Sequence, residues 1–256
     1  MVICSALLLV GLPHGTLDIN LLTRYLTQRK KAATVLVFIY LSLAVAMFVA
    51  WATVPIIALV MFLIISVVHF AEDWAEGDNS FFAIGTATAL LTLPTLLHLD
   101  LMRVLFVDLT GRAAAAQIAA VMLLLAPIAL SAALAGLISE YRARRLDTVV
   151  TSVTTLSAML FLPPLLGFAL YFCIFHSPRH LVGGLREFQA EAPQLVKRAV
   201  VPLTLAAFGI AALVYGALQR GTLGAHAVSA AFVTLSILTV PHMLVPKIFA
   251  RLTGLR

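Results

Sequence analysis

Charge is what this chain has least of. Only 11% of its 256 residues are Asp, Glu, Lys or Arg, and 62% are hydrophobic. A soluble domain is nearer a quarter charged and half apolar. No polar stretch is long enough to bury a core of its own, which excludes a separate soluble domain. Cysteine is also scarce. Cys4 and Cys173 both lie in apolar runs, which suits buried thiols and not a disulfide or zinc framework. No H-E-x-x-H occurs, so the common zinc protease signature is missing. There is no internal repeat, and no low-complexity tract beyond "RAAAAQIAA".

What the chain does have is long uncharged runs, with a mean hydropathy of +1.07. They predict an all-α fold, a polytopic transmembrane helical bundle of about eight to nine membrane segments. Residues 1–256 form a single integral-membrane domain. The expected spans are 3–22, 33–53, 55–71, 81–98, 113–138, 148–175, 199–218 and 225–245. Most are near the ~20 residues a helix needs to cross the hydrocarbon. The run 148–175 is too long for one straight span and contains Pro163-Pro164. Proline removes a donor and disfavours helix in the residue before it, so two short or broken segments are expected there. The opening "MVICSALLLVGLPHG" has no positive n-region and is not read as a cleaved signal peptide. Its span either continues through "TLDINLL" or draws on sequence before residue 1.

The net charge of +6 does not indicate nucleic acid, because the basic residues cluster in short loops, as membrane orientation requires. "RYLTQRKK" (24–31) and "EYRARR" (140–145) are expected on the cytoplasmic side of the cell inner (plasma) membrane. If 148–175 is a broken excursion or two short crossings, His176 also lies inside, with Lys247, Arg251 and Arg256. A single crossing would put His176 outside.

Seven histidines are present. His98 and His226 sit at span ends with ordinary neighbours and read as interfacial or helix-bonding residues. The other five stand in unusual surroundings: His14 in "GLPHGTLD", His69 in "VVHFAED", His176 and His180 in "FHSPRH", and His242 in "TVPHMLVP". Polar groups within a bilayer are rare and usually functional, and imidazole is the commonest metal ligand. His14 and Asp18 are four residues apart, as are His69 and Asp73, and His176 and His180. On a helix that spacing shares a face. A ligating histidine usually donates its other N–H to a carboxylate or carbonyl, a role that Asp18 and Asp73 can fill. Each can equally be an exposed span-end residue, above all Asp73, which begins the acidic loop 72–79. Ser177 is expected as a helix N-cap, with Pro178 as the first helical residue.

A histidine set without cysteine fits non-haem iron, Fe(2+), with either four histidines or a two-histidine-one-carboxylate triad. Phe70, Trp74, Tyr171, Phe172 and Phe175 flank the histidines. They are candidates for a substrate slot that takes a flat polyene from the bilayer. Each can equally be ordinary packing or part of the interfacial aromatic belt.

Taken together, "GLPHGTLD", "HFAED", "FHSPRH" and "TVPHM", spread over residues 11–243, resemble the Brp/Blh family of membrane beta-carotene dioxygenases. The resemblance implies cleavage of beta-carotene at its central 15,15' double bond with O2, giving two all-trans-retinal, with Fe(2+) as cofactor. It also implies retinal passing to a microbial rhodopsin. Carried onto this chain, the iron ligands and catalytic residues are His14, His69, His176 and His180, with His242 in the second shell or the substrate slot. The metal site is expected toward the cytoplasmic side. The rival readings are a histidine-lined membrane transporter and a haem-binding membrane subunit. A transporter would show intramembrane charge pairs or repeated halves.

Overall fold

A computed structural model describes residues 30–77, 79–188, 201–217 and 223–253. His14, Asp18 and the expected span 3–22 lie outside them. The described residues contain helices and no strand. In chain order they are α1 (Lys30–Thr53), α2 (Pro55–Ala71), a 3-10 turn (Glu72–Gly77), α3 (Ser80–Thr92), α4 (Pro94–Leu97), α5 (Leu99–Thr110), α6 (Arg112–Arg142), α7 (Leu146–Phe161), α8 (Pro164–Leu170), a π turn (Tyr171–His176), α9 (Ser177–Phe188), α10 (Val201–Ala217) and α11 (Leu223–Thr253).

Among the described residues, six helical stretches are long and apolar enough to cross a membrane: Thr34–Thr53, Pro55–Ala75, Ser80–Leu97, Arg112–Arg142, Pro164–Gly183 and Ala227–Val245. Leu146–Phe161 and Thr204–Gly216 are apolar but shorter. The outward faces are oily. Phe38, Leu124, Ile174 and Leu213 are each at least 70% exposed, a pattern a water-soluble surface avoids and lipid favours. Several hydroxyls on the apolar helices are satisfied within their own helix. Thr53, Thr88, Thr92 and Ser152 each donate to the carbonyl four residues back, since hydrocarbon offers no water to take their place.

The chain divides into two compact units. One comprises Leu59–Phe172. Here α3 packs along α6, and α5 also packs on α6. Helix α3 starts at Asn79, whose side-chain oxygen accepts from the Phe82 N–H at 3.1 Å and so satisfies one of the donors that a helix start leaves open. Close approach of α3 and α6 depends on small residues. A Cβ at Gly136 would lie 2.6 Å from the Phe82 Cβ, and one at Gly85 would lie 2.9 Å from the Ala132 Cβ. The α6 terminus is tied by Arg145, which donates through Nε to Glu140 and through Nη2 to Glu140 Oε1 at 2.9 Å. The pair also raises the guanidinium pKa of Arg145, first through the hydrogen bond. Two charges of the "EYRARR" cluster are thereby spent on each other.

Helix α5 has no counterpart among the expected spans, which left 99–112 as a connection. Asp100, Arg103 and Asp108 make it too polar to cross. Met102, Phe106 and Leu109 are its buried residues, spaced to lie on one side of an amphipathic helix. Gly111, at φ 85°, separates it from α6, a conformation that side chains rarely adopt. The run 148–175 breaks where the two prolines stand. Helix α7 ends at Phe161, Leu162 turns extended, and α8 begins at Pro164.

The other unit draws on the described residues within Met1–Ala58 and Cys173–Arg256. Helix α11 packs on α1 and on α10. Leu36 and Val245 are buried together, with Ile39, Tyr40 and Leu43 packed on them. The Trp51 indole donates to Ser236 Oγ at 2.5 Å, which satisfies the polar edge of a large apolar ring.

Gly136 allows a sharp test. Alanine there gains about 1 kcal/mol of helix propensity but must displace the backbone of Phe82, whose Cα would lie 2.9 Å away. Overpacking of this kind costs about 1–3 kcal/mol. Gly136→Ala is therefore expected to lower the thermal midpoint of the detergent-solubilised protein. Gly209→Ala, which meets nothing within 4 Å, should leave it unchanged or raise it.

Candidate metal and aromatic site

His69 lies in the last turn of α2. Apolar β-branched and large residues carry that helix, and the chain then tightens into the 3-10 turn that begins with Glu72 and Asp73. His69 is buried, and its Nδ1 lies 3.7 Å from Glu72 Oε2, a carboxylate 42% exposed. Asp73, expected to begin a wet loop, is instead only 2% exposed, and Trp74 beside it is buried too. The 3-10 turn swings them inward, leaving Glu72 as the solvated member of the pair.

Asp73 is held by Tyr171. The phenol donates to Asp73 Oδ2 at 2.5 Å, a buried bond between residues 98 apart in the chain. Around it the rings cluster. Phe70 meets Tyr171 edge-on at 5.2 Å, Phe168 at 6.0 Å and Phe172 at 6.4 Å. Phe168 and Phe172 stack at 5.5 Å. Trp74 packs edge-on against Phe82 at 6.4 Å.

Tyr171 opens a π turn and His176 closes it. Helix α9 follows from Ser177 without a break, so Ser177 does not cap a new helix as the sequence predicts. Pro178 lacks the N–H that would bond back into this stretch, and its ring crowds the carbonyl four residues before it. The widened π turn lies directly upstream of it, and such turns recur at functional sites. His176 is fully buried, and His180 is half-buried. Their rings face each other with centroids 4.7 Å apart at 52°. One ring nitrogen of each lies within 4.8 Å of the other, which puts two imidazoles on the same side of one stretch of helix. Phe175 lies half-buried under the Arg179 guanidinium, 5.6 Å from its centroid.

His242 is half-buried on α11. His98 has the ordinary role expected of it: its Nε2 lies 3.3 Å from the Phe161 carbonyl, across to the end of α7. Of the five aromatics singled out in the sequence, Phe70, Tyr171 and Phe172 share one cluster. Phe168 and Glu72 were not singled out. Phe168 precedes Phe172 by four residues on an apolar helix, a signal easily read as plain packing. Glu72 is three residues after His69, also a helical neighbour spacing.

These features define a class: described residues that are all helical, six stretches among them suited to a membrane, buried histidines at helix ends, and a carboxylate bound by a phenol among aromatic rings. The model of the beta-carotene 15,15'-dioxygenase family matches residues 5–250, and the chain belongs to that family. A relative from an uncultured marine bacterium, 66A03, bears the name beta-carotene 15,15'-dioxygenase. It is 26% identical over 177 residues, which cover 67% of this chain and 64% of that relative's own length. No solved structure matches the chain.

The ring cluster can be tested for packing. Phe70 is 4% exposed and Phe161 is 66% exposed. Phe70→Ala removes a side chain wedged among three rings, a type of change that costs about 3–5 kcal/mol in a packed core. A clear fall in thermal midpoint is expected for Phe70→Ala and none for Phe161→Ala, read by the temperature at which the protein leaves its monodisperse detergent peak.

Proposed function

We propose that this chain is a membrane-embedded, iron(II)-dependent dioxygenase. It would cleave beta-carotene at the central 15,15' double bond with dioxygen and release two molecules of all-trans-retinal. The observation that carries this reading is membership of the beta-carotene 15,15'-dioxygenase family over residues 5–250. The proposed ligands are His14, His69, His176 and His180, with Asp73 beside them or, in the two-histidine-one-carboxylate alternative, as the carboxylate ligand. Asp18 and His242 are assigned to the shell around the ligands.

The donor chemistry fits iron. His176 and His180, whose ring centroids lie 4.7 Å apart, can offer two imidazoles to one ion, Asp73 is proposed to add a carboxylate, and cysteine is not among the proposed donors. Imidazole and carboxylate donors are the set that non-haem iron enzymes use. Bound there, iron would supply the redox chemistry and the open positions at which dioxygen is activated.

The chain's own residues do the rest. The histidines donate neutral ring nitrogens. Asp73 brings a negative charge that offsets metal charge in a medium that screens poorly. Phe70, Phe168 and Phe172 make one side of the site apolar, which keeps water out and suits the face of a conjugated polyene. Trp74 and Phe175 are assigned to the same apolar lining. Holding the polyene in one register would select the central bond among many similar conjugated double bonds, because position alone can supply a large part of a barrier.

The substrate would enter from the bilayer of the cell inner membrane, with the metal site toward the cytoplasmic side. The retinal product would suit a microbial rhodopsin.

Expression in bacteria that accumulate beta-carotene tests the reading. Orange colour should fade, and retinal should appear in extracts. Alanine at His69, His176 or His180 should reduce retinal to background, while His98→Ala should retain it. Unbleached cells with well-expressed protein in their membranes would count against a dioxygenase. Purified protein treated with a chelator should lose activity and regain it with Fe(2+) but not with Zn(2+). A Soret band in the purified protein would instead favour the haem-binding reading.

A further inference from the structure

The bond between Tyr171 and Asp73 does more than fill a donor. We infer that Tyr171 is a positioning residue for the metal site, acting through the carboxylate of Asp73; this rests on the iron-binding reading above. Three observations carry it. First, the phenol-carboxylate distance is 2.5 Å and the bond is buried, in the range of charge-assisted O–H···O⁻ bonds. Second, both partners are nearly sealed, Tyr171 at 3% and Asp73 at 2% exposure. A carboxylate so enclosed has few orientations, and a donor at one oxygen selects among them. Third, the two residues sit where the site's geometry is decided. Asp73 stands four residues after His69 on the turn that ends α2, and Tyr171 opens the same π turn that His176 closes.

The ring of Tyr171 already has a packing role, edge-on to Phe70 at 5.2 Å. A phenylalanine at 171 would keep that contact and lose only the hydroxyl. The positioning role therefore belongs to one oxygen atom, and it can be separated from packing. Partners that orient metal ligands typically contribute 10–100-fold in metal affinity.

Metal binding by the metal-free, detergent-solubilised protein tests this without reference to turnover. Co(2+) serves as the probe, because its visible absorption reports both occupancy and ligand geometry. Tyr171→Phe should weaken Co(2+) binding by about 10–100-fold and alter the visible spectrum of the bound ion. Asp73→Asn should weaken binding at least as much. Phe106→Leu, a buried change on α5 outside the site, serves as the packing control and should leave affinity and spectrum as in the wild type.

Wild-type affinity and spectrum in Tyr171→Phe would overturn the inference while leaving the iron-binding reading intact. So would full affinity in Asp73→Asn, since Tyr171 would then not act through it. An equal loss in Phe106→Leu would reduce the effect to general loosening, and that too would overturn it. A wild-type protein that takes up neither Co(2+) nor Fe(2+) would sink both the iron reading and this inference.

Discussion

A carboxylate enclosed by aromatic rings has lost its water and must find a donor in the protein, or it will not stay charged. Asp73 finds one in Tyr171, 98 residues further along the chain. That bond joins the turn after α2 to the start of the π turn, where Phe70 also meets Tyr171 edge-on. Ring contacts are weakly directional, whereas a short phenol-carboxylate bond fixes an oxygen to a few tenths of an ångström. Asp73 stands four residues after His69, so the end of α2 is ordered by a polar contact inside an oily surround.

The surrounding structure is arranged to make such a contact tolerable. The hydroxyls of Thr53, Thr88, Thr92 and Ser152 bond within their own apolar helices. Trp51 spends its indole N–H on Ser236, and Glu140 is matched by Arg145. The low dielectric strengthens every satisfied pair and penalises every unsatisfied one. Close packing of α3 on α6 is possible because Gly85 and Gly136 leave room for a neighbouring Cβ and a neighbouring ring.

The π turn connects local sequence to the site. Pro163-Pro164 stops α7 and restarts the chain as α8. The widened turn at Tyr171–His176 then precedes Pro178, which cannot donate back into it. The result brings the His176 and His180 rings to a centroid separation of 4.7 Å. A proline between two histidines thus leaves them on one continuous stretch of helix.

Much of this was legible in the residues alone. Hydrophobic run length fixes where a chain can be helical in a membrane, because backbone groups in hydrocarbon must bond to each other. That is why expected spans such as 33–53 and 55–71 agree with α1 and α2. The break at Pro163-Pro164 and the pairing of His176 with His180 were legible for the same reason: both follow from local backbone chemistry. Other features depend on which distant residue arrives alongside. Helix α5 was missed because its charges hide a buried stripe that only α6 reveals. Asp73 reads as a solvated acid next to Glu72 until Tyr171 is brought to it. Run lengths and spacings act within a few turns of chain, so they determine the helices. The partner of a buried polar group is chosen across 98 residues by packing, and only the tertiary structure decides it.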